Sequence, residues 1–216
     1  MTKERGRYVM KNTIICIGRQ YGSGGREIAE KLAQKLGVVC YDKLLLKKAA
    51  EDIGLPIETV EGADEKPIEI GAMISGNVFA DTASISTAFY SERQVVYEAQ
   101  KMAINDVAKK GNCVIVGRCA SSILKNADVN LISVFVYAEK EDKVNRIARR
   151  NNIDKDEAKK KMQKIDKMRR KYFDFYSDTP WGEPESYDLM ISSSKYGIDG
   201  TVKIIESALN DSIKEK

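Results

Sequence analysis

The stretch Arg19-Gln20-Tyr21-Gly22-Ser23-Gly24-Gly25-Arg26 is where residue type and spacing speak most directly of chemistry. Glycines in succession let backbone N–H groups converge on one point, and where such a turn opens a helix the positive end of the helix dipole favours an anion. The ligand this suits is a phosphate. A complete phosphate loop has the form G-x-x-x-x-G-K-[ST], in which the lysine reaches the outer phosphates and the hydroxyl meets magnesium. This chain departs from that form. With Gly24 as the last glycine, Gly25 stands at the lysine and Arg26 at the hydroxyl; shifted by one, Arg26 stands at the lysine and Glu27 at the hydroxyl. Arg26 or Arg19 is then the cation that replaces the lysine, since a guanidinium grips phosphate at two points. The same glycines would equally serve a tight turn that binds nothing.

The elements around the loop decide whether it faces a ligand. Residues 13–18, TIICIG, form a β-branched run that reads as a strand, and Ile28, Leu32 and Leu36 recur beyond the glycines at helical spacing, with Gly37 as the C′ residue. Further short strands are expected at 38–41, 114–117, 131–137 and 188–191, separated by helix-like sequence. Strands that alternate with helices imply an α/β fold with a parallel sheet. Arg118 directly follows the 114–117 run, and the carboxyl ends of strands are where open α/β sheets bind their ligands, so Arg118 should face the cleft.

The intervals between strands are uneven. Residues 42–113 lie between the second and third strands, far more than the roughly 10–12 residues a crossover needs. Residues 43–53 read as helical, 54–81 are broken by Pro56, Pro67 and several glycines, and 86–110 read as one long helix closed by Gly111. After the fourth strand, Asp154 to Glu157 form an N-terminal cap box for a strongly basic helix with Met162, Ile165, Met168 and Tyr172 on one side. Residues 201–213 read as the last helix.

Composition excludes several classes. The 216 residues are 43% apolar and 31% charged, ordinary for a globular domain, and the net charge of +4 is small beside 36 basic and 32 acidic side chains. There is no histidine, so imidazole-held zinc and every His-dependent triad are ruled out. Cys16, Cys40, Cys113 and Cys119 have no C-x-x-C spacing and read as small buried residues. With no membrane-length apolar run and no signal-like start, the expectation is a cytoplasmic protein.

Taken with Tyr41-Asp42-Lys43, Cys113 to Ala120 (CVIVGRCA), Trp181-Gly182 and Tyr187-Asp188-Leu189, the loop makes the sequence resemble the cytidylate kinase-like family, within the P-loop nucleoside monophosphate kinase superfamily. The similarity covers most of the chain. It implies a single three-layer domain over 1–216 with a central parallel five-stranded sheet, a helical acceptor-binding insertion at 43–110 and a helical lid at 140–180. It implies ATP and Mg²⁺ as cofactors, a nucleotide donor and a small phosphorylated acceptor. On the family pattern Arg19, Gly22, Ser23, Gly24, Gly25, Arg26 and Glu27 hold the donor, with Arg146 and Arg150. Asp42 and Arg118 match the acceptor site, and Asp166, Arg169 and Arg170 match a D-x-x-R-like lid stretch that closes on the transferring group; Arg93, by its place in the insertion, is a further acceptor candidate, and Arg26, from the loop, joins Arg118, Arg169 and Arg170 as a catalytic candidate. The family's G-R-D ends here in Cys119, so a carboxylate contact is missing and CMP as acceptor does not carry over directly. Magnesium ligands are not identified.

Other interpretations stand beside these. Asp42 also suits the cap of the helix that follows it. Arg93, next to Glu92, also suits a surface ion pair, and the basic run 155–171 a solvated helix face. Basic residues beside Tyr172, Phe173, Phe175 and Tyr176 permit nucleic-acid binding, which the modest net charge disfavours. A nucleotide sensor that has lost the reaction, and a kinase for a non-nucleotide acceptor, are the remaining alternatives. A homodimer is compatible with the sequence.

Overall fold

The computed structural model describes residues 12–42, residues 45, 47, 50–52 and 54, and residues 82–214, with backbone alone at 82–93 and 211–214. Strand β1 (Thr13–Arg19) leads through the glycine turn into α1 (Gly25–Leu36), then β2 (Val39–Tyr41). After the long intervening segment come α2 (Thr82–Lys109), β3 (Cys113–Val116), the short α3 (Ala120–Leu124) and β4 (Asn130–Tyr137). Two helices follow, α4 (Lys140–Asn151) and α5 (Lys155–Tyr176), then β5 (Leu189–Ser192) and α6 (Ser193–Lys214).

The five strands are all parallel in the order β2-β3-β1-β4-β5. Alternation along β1 explains the two cores. Ile14 and Cys16 face α2 and α3, where Val96, Ala99, Ala103, Ile104, Val107 and Leu124 cover them. Ile15 and Ile17 face α1 and α6, against Ile28, Leu32, Val202, Ile205 and Leu209. A sheet buried on both faces needs apolar residues at every position, which is why its strands read as unbroken apolar runs.

Each expected strand lies within one or two residues of its observed bounds. Gly37 closes α1 with a left-handed φ of 69°, its N–H bonding back to Ala33 and Gln34, and the Asp154 carboxylate accepts the Glu157 N–H at 2.8 Å to start α5. Two helical features differ from expectation. The five-residue α3 is too short to show a period, and the last helix begins at Ser193 rather than 201, with a break at Gly197 that hides its first turn. Of the expected insertion, 43–53 is helical where described, and 55–81 lies outside the described residues. No described helix is long and apolar enough to cross a membrane.

Candidate functional site

The turn after β1 has one register in the fold. Gly24 is the N-cap of α1 with φ 80°, a conformation that costs a β-carbon about 1 kcal/mol or more, and the helix starts at Gly25. Gly24 is therefore the last loop glycine, Gly25 holds the lysine position and Arg26 the hydroxyl position. The Ser23 hydroxyl donates to the Gln20 carbonyl at 2.9 Å, and Ser193 at the start of α6 donates to the Ser23 carbonyl at 2.6 Å, so both flanks of the loop are tied down.

Helices α4 and α5 pack directly on this loop. Ile147 and the Lys143 carbonyl sit where a Cβ at Gly22 would fall, while Ile147 and Val144 join Met162, Ile165 and Met168 in a core of their own. Tyr21 reaches into that core, and two guanidinium groups, those of Arg150 and Arg169, each lie 5.5 Å from its ring centroid. Arg150 also donates to the Tyr21 hydroxyl at 3.2 Å, and Arg169 to the Arg19 carbonyl at 3.3 Å. Asp166 accepts the Tyr21 N–H at 2.6 Å, and the buried Lys143 ammonium donates to the Gln20 amide oxygen at 2.7 Å. Burial raises the Asp166 pKa, with the Tyr21 N–H, Arg169, Lys143 and Arg19 opposing it; burial lowers that of Lys143, with Asp166 and Glu139 opposing.

Beside the loop, at the carboxyl end of β1 and β3, lies a cavity lined by Arg19, Arg118 and Arg169. Four aromatic side chains, Tyr172, Phe173, Trp181 and Tyr187, form part of its wall. Gly117, Arg118 and Cys119 all have positive φ, 72°, 60° and 53°, so the chain turns through three left-handed residues as it leaves β3. Strain of this kind, about 1–3 kcal/mol for each non-glycine residue, persists only where surrounding contacts enforce it, and it is most often found at functional sites. Here it sets Arg118 into the cavity wall.

The sequence-derived candidates divide on this geometry. Arg19, Arg118 and Arg169 come together in the cavity, while Arg150 and Arg169 meet at Tyr21. Arg146 lies against Gly24 and donates to Glu27 at 3.1 Å. Arg170 sits over the Trp181 ring at 5.5 Å, with Glu183 at 3.9 Å. Arg26 goes elsewhere. Its Nε donates to Glu30 at 2.9 Å and meets Asp42 at 3.2 Å, its pKa raised chiefly by the Glu30 hydrogen bond, and its side chain is 47% exposed. Asp42 is thus the partner of Arg26. The Arg93 side chain lies outside the described residues. Sequence reasoning did not identify Lys143 as part of this region, and it gave Gln20 and Tyr187 no role beyond their place in the loop and in the Tyr187-Asp188-Leu189 motif; lysines are too common for spacing alone to single one out.

The donor set around the loop does not fit a magnesium ion held by protein ligands. A guanidinium occupies the hydroxyl position, and among the described residues no three Cys, Asp or Glu side chains cluster as metal ligands. All four cysteines are free thiols; burial raises Cys40 to about 11 and Cys113 to about 12, and pushes Cys16 and Cys119 higher still.

Comparison with known proteins agrees with this architecture. The chain is 29% identical over 201 residues to a cytidylate kinase of Methanocaldococcus jannaschii, covering 92% of this chain and 98% of that one. A cytidylate kinase of Pyrococcus horikoshii is 26% identical over 91% of this chain and 88% of its own. Among solved structures, an uncharacterized protein from Eubacterium ventriosum superposes with a TM-score of 0.69 at 30% identity, covering 92% of this chain and 98% of that one. A shikimate kinase from Bacteroides thetaiotaomicron gives 0.53 at 13% identity over 92% and 98%, a likeness of fold alone. Residues 14–195 match the sequence profile of the cytidylate kinase-like family, so the sheet order, the glycine loop and the arginines gathered beside it are those of a chain that belongs to this family.

Proposed function

We propose that the protein transfers the γ-phosphoryl group of ATP to a nucleoside monophosphate, with CMP and dCMP as the first acceptors to try. The observation that carries this is the convergence of Arg19, Arg118 and Arg169 on one aromatic-walled cavity beside a phosphate loop. Phosphoryl transfer asks little covalent work of a protein; it needs positive charge around the equatorial oxygens, alignment of donor and acceptor, and exclusion of water. In this reading Arg118 holds the acceptor phosphate, Arg169 follows the transferring group, and α4–α5 act as the lid that keeps water out. Magnesium enters bound to the nucleotide phosphates, a common arrangement for an ion that keeps most of its water. Aromatic walls suit a planar base, as rings and bases stack.

One observation favours a second reading. With Gly25 at the lysine position and Arg26 tied to Glu30 and Asp42, the loop lacks two of its usual groups, as a nucleotide sensor without turnover would. Labelled ATP with Mg²⁺, offered to ribo- and deoxyribonucleoside monophosphates and to shikimate as a non-nucleotide acceptor, separates the readings. Transfer to one nucleotide, lost in Arg118→Ala, supports the kinase. ATP binding with no transfer to any acceptor supports the sensor.

A further inference from the structure

Gly25 poses a question the backbone alone does not answer. It is the first residue of α1, is buried, and is not among the glycines with positive φ, so nothing in its conformation calls for glycine. Glycine in a helix is less favourable than alanine by about 1 kcal/mol. The reason lies across the turn. A Cβ at position 25 would stand 2.6 Å from the Arg19 Cβ, closer than such atoms approach, and a tight 3.1 Å from its Cγ. The stem of Arg19 therefore fills the space into which a side chain at position 25 would grow.

Followed outward, the same side chain finds a second glycine. A Cβ on Gly117 would fall on the Arg19 Nη1, with Cζ at 2.9 Å, so the guanidinium lies against the backbone at the end of β3. That places it in the cavity wall with Arg118 and Arg169, the latter donating to the Arg19 carbonyl. Two absent side chains, one under the stem and one under the head, thus form the bed of a single arginine.

We propose that Arg19 has taken over the phosphate-gripping task of the missing lysine, and that Gly25 is glycine because it makes room for it, while Gly117, which its left-handed φ of 72° already favours as glycine, leaves space for the guanidinium. The cation has moved from the first helical residue to the last residue of β1, and the vacancy at 25 and the charge at 19 form one exchange. This rests on the kinase reading above and adds to it which cation serves the loop, because the geometry turns Arg26, the other candidate, toward Glu30 and Asp42. An arginine anchored on a strand is more rigidly aimed than a lysine on a helix start, and its planar fork can bridge oxygens of two phosphates.

The exchange makes a reciprocal prediction. ATP and adenosine binding are measured by calorimetry on the whole chain, with circular dichroism and thermal melts as fold controls. Arg19→Met should weaken ATP binding at least tenfold and leave adenosine binding unchanged, because the loss is of a phosphate contact. Gly25→Lys alone should bind ATP poorly, its stem colliding with Arg19. The double variant Arg19→Gly with Gly25→Lys should recover ATP affinity to within a few fold of wild type. Arg19→Met that binds ATP as wild type does overturns the proposal while leaving the kinase reading intact, and so does a folded double variant no better than Arg19→Met. Wild type that neither binds ATP nor transfers phosphate overturns both.

Discussion

The Asp166 carboxylate and the Tyr21 backbone N–H are joined by a 2.6 Å hydrogen bond that runs from the middle of α5 to the phosphate loop. A loop built to offer N–H groups to an anion has one of them taken by an anion of its own chain. In the arrangement proposed here, lid and nucleotide phosphate compete in part for the same donors, and Asp166 repels what the arginines attract.

Asp166→Asn should therefore bind ATP more tightly, by about three- to tenfold, since a like charge near the phosphates is worth on the order of 1 kcal/mol. Calorimetric titration of the two proteins checks it, and equal or weaker binding by the variant would refute it.

The same residue gives a pH dependence of fixed sign. Burial, the largest influence, raises the Asp166 pKa above its unfolded value. A raised carboxylic acid favours the fold while protonated, so its contribution is present below the unfolded value and is lost as pH rises through the folded one. Wild type should lose stability relative to Asp166→Asn over that interval. Parallel denaturant titrations across the acidic range measure the difference.

Gly22→Ala should loosen α4 and α5 from the glycine loop. The residue has φ 85°, and a new Cβ would meet Ile147 at 2.8 Å and the Lys143 carbonyl at 2.9 Å, backbone that cannot easily yield. The expected cost is about 1–3 kcal/mol, a fall of several degrees in Tm. Faster proteolysis within 140–176 with the sheet intact is the accompanying sign.

Thiol labelling offers a direct check on burial. With Cys40 at about 11, Cys113 at about 12 and the other two higher, little thiolate exists near neutral pH. Labelling of the native protein at pH 8 should be slow at every cysteine and become rapid for all on unfolding. Fast reaction at Cys119 would contradict its placement among Phe135, Phe173 and Trp181.

Much of this was open to a reader of the sequence. The apolar runs of β1, β3 and β4, Gly37 as the end of α1 and Asp154 as the start of α5 all announce themselves through local chemistry that tertiary context did not override. Arg118 was legible because a residue just after a strand must lie at the sheet's carboxyl edge. The different placements of Arg19 and Arg26 were not, since both flank the same glycines and only packing sets one against Gly25 and Gly117 and the other against Glu30 and Asp42. Nor was the link between α2 and α5 visible. Tyr97 stacks on Tyr176 at 3.8 Å and Gln100 accepts from the Tyr172 hydroxyl at 2.7 Å, contacts between residues far apart in sequence whose spacing within each helix says nothing of the partner.

Trp181 stands edge-on to Phe135 at 5.1 Å, its backbone N–H bonds to Asp174 on α5, and Arg170 covers its ring. It is also the chain's single tryptophan. Indole emission from the native protein thus originates at one wall of the cavity and nowhere else. A guanidinium on the ring and an aromatic edge beside it make that emission sensitive to any shift of α5, so filling of the cavity can be followed in real time by ultraviolet fluorescence without attaching a dye.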